Sequence, residues 1–389
     1  MKILLTHRYF WPDTAPYALM LRSIGDNLAS EGHNIYVFAT KPSYRVGTAV
    51  APAREHLGGL NVRRSWVFQE NRKSPLLRIL NVVLYCVALF VQVIRLRPDV
   101  VTASTFPPVI AAWTASLAAR LVGAKFIYHV QDIHPEVSYY SGGRLGRGIP
   151  ARILRGLDNQ TLRRASTIVT LSPDMQETLK ARNLGPLPIQ IINNLSLDVL
   201  GEAEAPPADL IKKPGIRRVI FAGNLGRFQN LPLLAEGIAT RFETNPDLEL
   251  LFLGEGVALK ELKARWGDHP QVRFGPFLPF TQARTLIADA DVGLTSLAPD
   301  IYRVAYPSKV ITYLGLGLRV LALVEPDSRI ARDLETTGKG AAPTDASPEA
   351  VGQALERVLA MPAYQCDPIK ELVVNQGAWA ALINGRSDA

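Results

Sequence analysis

Cysteine is nearly absent from this sequence. The 389 residues include two cysteines, Cys86 and Cys366, which are far apart and lack the spacing of metal ligands. A disulfide scaffold is therefore excluded, and the composition suits a reducing compartment. The apolar run at the N-terminus is also very short, because His7 and Arg8 interrupt it, so we do not expect a signal peptide.

Two cofactor signatures are missing as well. The segment 7–18, HRYFWPDTAPYA, follows the first apolar run and lacks the glycine-rich fingerprint of a dinucleotide site, which argues against a dehydrogenase. No two histidines stand at helical spacing with an accompanying acid. We therefore predict neither a dinucleotide cofactor nor a metal ion.

Long apolar runs are scarce, and the longest is short for a membrane span. Ile79–Ile94 is an uncharged stretch of 16 residues, whereas a bilayer crossing needs about 20. Arginines lie on both sides of it, at positions 78, 95 and 97. One interpretation of Leu76–Leu96 is a helix buried against a sheet, and the other is a helix that dips into the bilayer surface.

The segment upstream, RRSWVFQENRK, favours the second interpretation. It places basic side chains around Trp66 and Phe68, a mixture expected at a lipid–water boundary. The basic residues are Arg63, Arg64, Arg72 and Lys73.

Positive charge is concentrated in the first half. The net charge is +8, but residues 1–185 hold 23 Lys and Arg against 11 Asp and Glu, so the remainder is slightly acidic. An anionic partner for the first half is indicated, with nucleic acid and anionic lipid as the two candidates.

Short apolar runs alternate with longer amphipathic segments along the whole chain, which predicts parallel sheets covered by helices on both faces. Predicted strands are 2–7, 34–40, 99–104, 125–130, 167–172, 218–223, 248–254, 271–275, 291–297 and 319–324. Predicted helices are 17–30, 75–97, 107–122, 150–164, 231–244, 257–266, 280–288, 309–315 and 348–359.

The length and one unpatterned segment predict two domains. Residues 201–215, GEAEAPPADLIKKPG, are acidic and proline-containing, as expected of a linker. We predict an α/β chain of two Rossmann-like, doubly wound parallel-sheet domains that face each other across a cleft. Their boundaries are 1–198 and 199–369, and a helix near 370–389 would return to the first domain.

The stretch FAGNLGRFQNL, Phe221–Leu231, has the features of a phosphate site. Glycines 223 and 226 lie where a strand gives way to a helix, so the backbone can approach an anion closely. Arg227 beside this turn could hold phosphate oxygens with paired hydrogen bonds. The alternative is a plain tight turn with a solvated arginine.

A second candidate is YPSKVITYLGLGLRV, Tyr306–Val320. Ser308 is placed to cap the predicted helix, and Lys309 in its first turn opposes the helix dipole. A cation at that position suggests a bound anion nearby, although an exposed lysine on a capped helix would look the same.

Two further turns could contribute to this site. In FLGEG, Phe252–Gly256, Glu255 could bind ribose or sugar hydroxyls or simply cap a helix. The loop GPFLPF, 275–280, could offer a flat wall and backbone edge to a base, or form a rigid turn.

The densest titratable cluster in the first half is YHVQDIHPE, 128–136. It holds His129, Asp132, His134 and Glu136 at the end of a predicted strand. Such groups could act as a base or hold acceptor hydroxyls, and the alternative is a surface loop with capping acids.

In collinear order these motifs resemble group 4 glycosyltransferases of the GT-B fold, most closely the bacterial branch that builds surface polysaccharides. The motifs that carry the resemblance are HRYFWPD, RPDVVTASTFPP, VQDIHPE, LSPDM, IINNLSLD, FAGNLGRFQNL, FLGEG and YPSKVITYLGLGLRVLA.

The resemblance implies a hexosyl- or N-acetylhexosaminyl-type transferase that retains anomeric configuration. Its donor would be a UDP- or GDP-linked sugar, and it would need no cofactor or metal. The acceptor would be a glycan linked to a lipid diphosphate, so the enzyme would be cytoplasmic and peripheral on the inner face of the cell membrane. Anionic lipid, and not nucleic acid, would then meet the basic half.

The same resemblance assigns site residues. Gly223, Asn224, Gly226 and Arg227 would cradle the diphosphate, with help from Ser308 and Lys309. Phe277 and Leu278 would present backbone groups to the base, Glu255 would bind donor hydroxyls, and Asp132 would contact the reacting centre. The catalytic set would be Asp132, Arg227 and Lys309.

The sequence also departs from the family. Val304 and Thr312 stand where relatives have two glutamates, and Phe228–Pro232 lacks the lysine that many relatives carry after the arginine. His134 replaces a common tryptophan. Two other functions therefore stay open: a nucleotide-sugar epimerase of the same fold, and a non-catalytic partner that binds nucleotide sugar for another transferase.

Overall fold

The computed structural model describes residues 1–13, 15–42, 51–68, 74–194, 204–226, 229–366 and 368–385. The chain divides into two compact units. The first comprises Met1–Leu197 with Val373–Ala389, and the second comprises Asp198–Leu372.

The first unit is built on an eight-stranded sheet with helices between most of its strands. Its elements are β1 (Lys2–Thr6), α1 (Pro16–Ser30), β2 (Asn34–Thr40), β3 (Arg54–Leu57), β4 (Leu60–Ser65), α2 (Pro75–Leu96), β5 (Val100–Ser104), α3 (Ile110–Val122), β6 (Lys125–His129), α4 (Glu136–Tyr140), α5 (Gly148–Arg164), β7 (Thr167–Thr170), α6 (Pro173–Lys180) and β8 (Ile189–Ile191). The strand order is β3-β4-β2-β1-β5-β6-β7-β8. Since the order reverses between β1 and β5, the loops after these two strands border the crevice where ligands bind in such sheets.

One edge of this sheet departs from the predicted parallel arrangement. β3 and β4 pair antiparallel, with Leu57 opposite Leu60, around a turn at Gly58 and Gly59. Gly58 has a φ of +61°, which suits glycine in a two-residue hairpin. This hairpin was not among the predicted strands, although its Gly-Gly pair is a hairpin signal.

The second unit has a six-stranded parallel sheet. Its elements are β9 (Arg217–Ala222), α7 (Leu231–Ala239), β10 (Leu248–Leu253), α8 (Leu259–Trp266), β11 (Val272–Gly275), α9 (Phe280–Ala288), β12 (Val292–Ser296), α10 (Ser308–Gly315), β13 (Arg319–Leu323), α11 (Arg329–Thr336), β14 (Gly340–Ala341) and α12 (Pro348–Ala360). The order β11-β10-β9-β12-β13-β14 reverses between β9 and β12.

Two hydrophobic clusters cover the two faces of this second sheet. One includes Leu234 of α7 and Val351 of α12, and the other includes Leu286 of α9 and Tyr313 of α10. Apolar side chains on both faces explain why the strands read as continuous hydrophobic runs. The prediction of two doubly wound α/β domains is confirmed.

The last helix, α13 (Pro368–Asn384), contributes its C-terminal part to the first unit. Trp379 is buried with its ring centroid 4.8 Å from that of His129, and Gln376 hydrogen-bonds Ser23 on α1 at 3.0 Å.

α2 does not fit either sequence interpretation completely. Among the described helices it alone is long and apolar enough to cross a membrane, and one third of that apolar window is buried. Asn81, Tyr85, Leu89 and Val93 face the interior, whereas the opposite side is exposed. Arg64, which the sequence placed at a lipid boundary, is instead buried and bonded to Glu55 and to the Trp11 carbonyl.

Candidate functional site

The glycine turn after β9 is held against the next turn along the sheet. The Gly223 N–H donates to the Leu253 carbonyl at 2.8 Å, and a Cβ placed on Gly254 would lie 2.0 Å from the Gly223 carbonyl oxygen. Gly223 itself has a φ of +122°. Both positions therefore require glycine, and the turns form a side-chain-free surface at the carboxyl ends of β9 and β10.

Backbone hydrogen bonds fix this double turn further. The Leu225 N–H donates to the Glu255 carbonyl at 2.8 Å, and the Ala258 N–H donates to the Leu225 carbonyl at 3.1 Å. Glu255 is exposed. It does not cap α8, which begins at Leu259 without a side-chain cap hydrogen bond, so the carboxylate is available to a ligand.

α10 is anchored to the end of β9 by a residue that the sequence analysis missed. The buried Tyr313 hydroxyl accepts a hydrogen bond from the Ala222 N–H at 2.9 Å. Lys309 precedes Tyr313 by four residues and therefore lies on the same helix face. The i, i+4 pair in KVITY is the signal that could have identified this anchor.

Lys309 reaches the glycine turn from this anchored helix. Its Nζ lies 5.0 Å from the centroid of the Phe221 ring, and a Cβ placed on Gly223 would be 3.3 Å from Nζ. Burial lowers the pKa of Lys309 to about 8. A partly desolvated ammonium at the reversal point of the sheet is a suitable contact for an anion.

The expected cap of α10 is wrong. Pro307 is the N-cap residue, Ser308 is the first helical residue, and no side chain caps the helix. Ser308 is exposed beside Lys309. The N-terminus of α10 thus keeps unsatisfied N–H groups on the side of the sheet where Lys309 lies.

The other predicted donor contacts lie at the same edge of the sheet. Asn224 is exposed, and the Gly226 N–H donates to Gln229 Oε1 at 3.0 Å. Phe277 and Leu278 follow β11, and the Leu278 side chain packs against the core. Arg227 lies outside the described residues, so its role stays a prediction from sequence.

Asp132 occupies the corresponding edge of the first sheet, after β6. Its N–H donates to Thr105 Oγ1 at 3.2 Å, which ties it to the loop after β5. Burial raises the pKa of its carboxyl group to about 6. Among the residues that the structure describes, none provides a hydrogen bond or ion pair to this carboxylate. It is therefore suited to accept a proton or a hydroxyl hydrogen bond.

The histidines of the same cluster are interior groups. His129 hydrogen-bonds the Tyr17 hydroxyl at 3.0 Å and Gln131 at 2.6 Å, and burial lowers its pKa to about 3. Burial also lowers the pKa of His134 to about 4. Both histidines are therefore neutral near pH 7 and weaker bases than an ordinary imidazole, and the role that the sequence suggested for them stays a prediction.

Glu136 is also structural. It bonds Arg182 at 2.7 Å, and Arg182 also bonds Asp158 at 2.5 Å and the His134 carbonyl at 2.8 Å. This buried arginine holds the segment after Asp132, a connection that sequence spacing gives no means to predict.

An aromatic pair borders the crevice between β1 and β5. The rings of Tyr9 and Phe106 stack with centroids 5.2 Å apart, and 38% of the Phe106 side chain is exposed. No residue type in the sequence analysis pointed to this pair.

Val304 and Thr312, which stand where relatives have two glutamates, supply no carboxylate to the site. Val304 is fully buried in the core of the second unit, and Thr312 is half-buried on α10. Among the described residues, no group of three or more His, Cys, Asp or Glu side chains is placed to hold a metal ion.

Comparison with known proteins agrees with this architecture. Residues 17–194 match the family described as "Glycosyl transferase 4-like domain". A curated relative, the "Probable glycosyltransferase WbjE" of Pseudomonas aeruginosa, is 26% identical over 250 residues, which are 63% of this chain. The matched part spans 62% of the length of that relative.

Three similar solved structures cover nearly the whole chain. Sucrose-phosphate synthase from Thermosynechococcus elongatus has a TM-score of 0.70 at 13% identity and covers 99% of this chain and 98% of its own. Anabaena HepE, solved with UDP and glucose, has a TM-score of 0.64 at 18% identity, and the match covers 99% of this chain and 100% of HepE. WaaG, a glycosyltransferase of lipopolysaccharide biosynthesis, has a TM-score of 0.63 at 14% identity and covers 99% and 94%.

These structures share the GT-B fold, and the chain has the same fold. Its residues 17–194 are similar in sequence to the glycosyl transferase 4-like domain.

Proposed function

We propose that the protein transfers a sugar from a nucleotide-diphosphate donor to a glycan or lipid-linked acceptor in bacterial surface polysaccharide synthesis. The observation that carries this proposal is the ammonium of Lys309 at the Gly223 turn. A positive charge, glycine backbone and a helix N-terminus meet there at the reversal point of a parallel sheet, which suits a diphosphate.

The second unit would hold the donor. Lys309 would neutralise the diphosphate as the sugar departs, the side-chain-free turn at Gly223 would let it approach the backbone closely, and Arg227 would add a second charge. Because side-chain cations would supply this neutralisation, the proposed reaction uses no metal. Phe277 and Leu278 would border the base. The complex of HepE with UDP and glucose supports a UDP-linked donor.

The first unit would hold the acceptor. Asp132 is a half-buried residue whose carboxyl group has a pKa of about 6, so it would be ionised near neutral pH and could orient the attacking hydroxyl. The stacked Tyr9 and Phe106 would offer an apolar surface to a sugar ring. Retention of anomeric configuration is the outcome that the family resemblance implies.

A lipid-linked acceptor requires the enzyme to act at the inner face of the cell membrane. The excess of basic residues in the first 185 positions supports attraction to anionic lipid. We therefore propose a cytoplasmic enzyme that binds the membrane peripherally.

A non-catalytic, nucleotide-sugar-binding partner is the alternative that a specific observation favours. The position of one family glutamate is occupied by Val304, a buried apolar residue that offers no carboxylate to a donor. Such a protein would keep the phosphate contacts at Lys309 and lack turnover.

Product analysis separates the possibilities. The purified protein is incubated with a panel of UDP- and GDP-sugars and a lipid-diphosphate-linked sugar, and the products are identified by mass spectrometry. A lengthened acceptor with release of the nucleoside diphosphate supports the transferase. An altered free donor would indicate an epimerase, and binding without turnover would indicate a partner protein; either result refutes the proposal.

A further inference from the structure

The outer side of α2 is apolar where a surface helix is normally charged. Its exposed residues recur every three or four positions, so they form one stripe about 22 Å long. The stripe consists of Leu76, Ile79, Leu80, Val83, Val87 and Val91, which are 37 to 79% exposed. A continuous exposed patch of this kind usually marks an interaction surface.

Two aromatic side chains are fixed beside this stripe. Asn81, a fully buried residue of α2, accepts a hydrogen bond from the Phe68 N–H at 2.8 Å and donates to the Phe68 carbonyl at 2.9 Å. This pair of bonds holds the chain at Phe68 against the helix. Trp66 and Phe68 are 57% and 38% exposed, and their rings meet edge to face at 4.4 Å.

The charges of the surrounding layer are of one sign. α2 packs on α3, and α3 packs on α5, so the three helices form one layer over the sheet. Their only carboxylate is Asp158, which is buried against Arg182. Their arginines are Arg78, Arg95, Arg120, Arg152, Arg155, Arg163 and Arg164.

α5 also has exposed aliphatic side chains next to exposed arginines. Ile149 and Ile153 are 71% and 58% exposed, and the neighbouring Arg152 and Arg155 are exposed as well. The layer thus presents aliphatic side chains between arginines and no exposed carboxylate from its helices.

These charges decide between two occupants. A symmetric contact with a second copy of the chain would place arginine-rich surfaces against each other, which is unfavourable. An anionic bilayer receives aliphatic and aromatic side chains in its interface, and its headgroups pair with the arginines.

We propose that the α2 stripe, with Trp66 and Phe68, is the membrane-binding surface, and that α2 lies in the plane of an anionic lipid interface. This inference rests on the proposed function in one respect, because a lipid-linked acceptor would be reached at that surface.

The first test is co-sedimentation with vesicles of phosphatidylcholine alone or mixed with phosphatidylglycerol. Wild-type protein is compared with Val83→Asp/Val87→Asp and with Val257→Asp, whose valine is 60% exposed in the second unit. We expect binding to the anionic vesicles, a loss of at least about tenfold in the double variant, and no change in the control. Since all three valines are exposed, thermal unfolding of the variants should match wild type.

The second test places the aromatic residues. Brominated lipids should quench tryptophan fluorescence of the wild type, and Trp66→Phe should lose most of that quenching while it still binds vesicles. Absence of vesicle binding, equal binding by all variants, or a wild-type dimer that the double variant dissociates would each overturn the proposal.

Nucleotide binding distinguishes this failure from failure of the proposed function. The double variant should keep the wild-type thermal shift with the nucleoside diphosphate that binds the second unit. A protein that binds vesicles and no nucleotide would refute the donor site and leave the membrane surface standing.

Discussion

Lys309 lies on α10, the helix that follows β12, and its ammonium reaches over Gly223 at the end of the neighbouring strand β9. A Cβ at position 223 would be 3.2 Å from Lys309 Cε and 3.3 Å from Nζ. The lysine can therefore share a ligand with the backbone of the turn, because no side chain at position 223 separates them.

Replacement of Lys309 by methionine keeps the aliphatic stem and removes the charge. We expect kcat/KM to fall at least about 100-fold, because the lost cation stabilises the departing diphosphate. Stability should be unchanged or higher, since burial disfavours the ammonium. Steady-state kinetics and thermal unfolding measure both effects.

Lys339→Met is the matched control for this variant. The Lys339 ammonium also lies 5.0 Å from an aromatic ring in the second unit, that of Tyr364, on a different segment of the chain. Equal loss of activity in both variants would show that lysine–aromatic contacts, and not the glycine turn, explain the effect.

Alanine at Gly223 should weaken donor binding. The φ of +122° makes a side chain strained there by about 1–3 kcal/mol, and the added methyl group would displace the lysine. We expect the Kd of the nucleoside diphosphate to rise about tenfold, in proportion to the loss of one charged contact. Isothermal titration calorimetry provides the measurement.

Gly338→Ala separates backbone strain from ligand contact. Gly338 has a φ of +65°, and an added Cβ there would meet no atoms within 4 Å, so the substitution strains the chain without touching the lysine. An affinity loss of the same size at Gly338 would contradict the role given to Gly223.

Most of the fold could be predicted because both sheets are buried on two faces. Continuous apolar strands such as β5 and β12 leave a clear signal, and glycine turns mark their ends. β3 and β8 were missed since each has only partly buried or exposed residues and no apolar run. The extent of α2 was predicted closely, but its exposed side depends on neighbours that the sequence does not place.

Asp132→Asn should remove one limb of the pH–activity profile. The wild-type carboxyl has a pKa of about 6, so kcat/KM should rise between roughly pH 5 and 7 as it ionises. The variant should be slower and lack this rise. A wild-type profile in the variant would exclude Asp132 from the reacting centre.

Asp132→Asn should lower activity, but it should not lower stability. A folded pKa of about 6 exceeds the unfolded value of 3.8. Between these two pKa values the folded state binds more protons than the unfolded state, so the protein loses stability as the pH rises from 3.8 to about 6. An amide at this position avoids the cost, so Asp132→Asn should be at least as stable as wild type at pH 7, as measured by urea unfolding.

Arg182→Ala should be severely destabilising. Its side chain is 1% exposed and pairs with Asp158 and Glu136, so its loss leaves the buried Asp158 without this cation and leaves Glu136 with a 3.8 Å contact to Arg155. We expect a loss of about 3–5 kcal/mol in the free energy of unfolding.

Arg241→Ala is the comparison in the second unit. Arg241 pairs with Glu349 and Glu356, which are 60% and 54% exposed, so solvent weakens both interactions. The expected cost is about 1 kcal/mol or less. Similar losses for the two arginines in urea unfolding would contradict the structural role of Arg182.

The candidate site could be predicted only in part. Lys309 and Asp132 could be proposed from the sequence because each lies beyond the end of a predicted strand, and strand ends converge at one edge of a parallel sheet. Tyr313 and Arg182 act through contacts with distant segments, at Ala222 and Asp158, so local spacing could not reveal them. The titration of His129 and His134 depends on burial, which sequence order does not give.

The proposed function depends on diphosphate binding by Lys309 and the Gly223 turn. Its most direct test is calorimetric titration of wild-type protein and Lys309→Met with UDP, GDP and ADP and with the matching monophosphates. We expect one diphosphate to bind wild type at least about tenfold more tightly than its monophosphate, and Lys309→Met to lose most of this preference. Absence of binding by every diphosphate, or an undiminished preference in Lys309→Met, would contradict it.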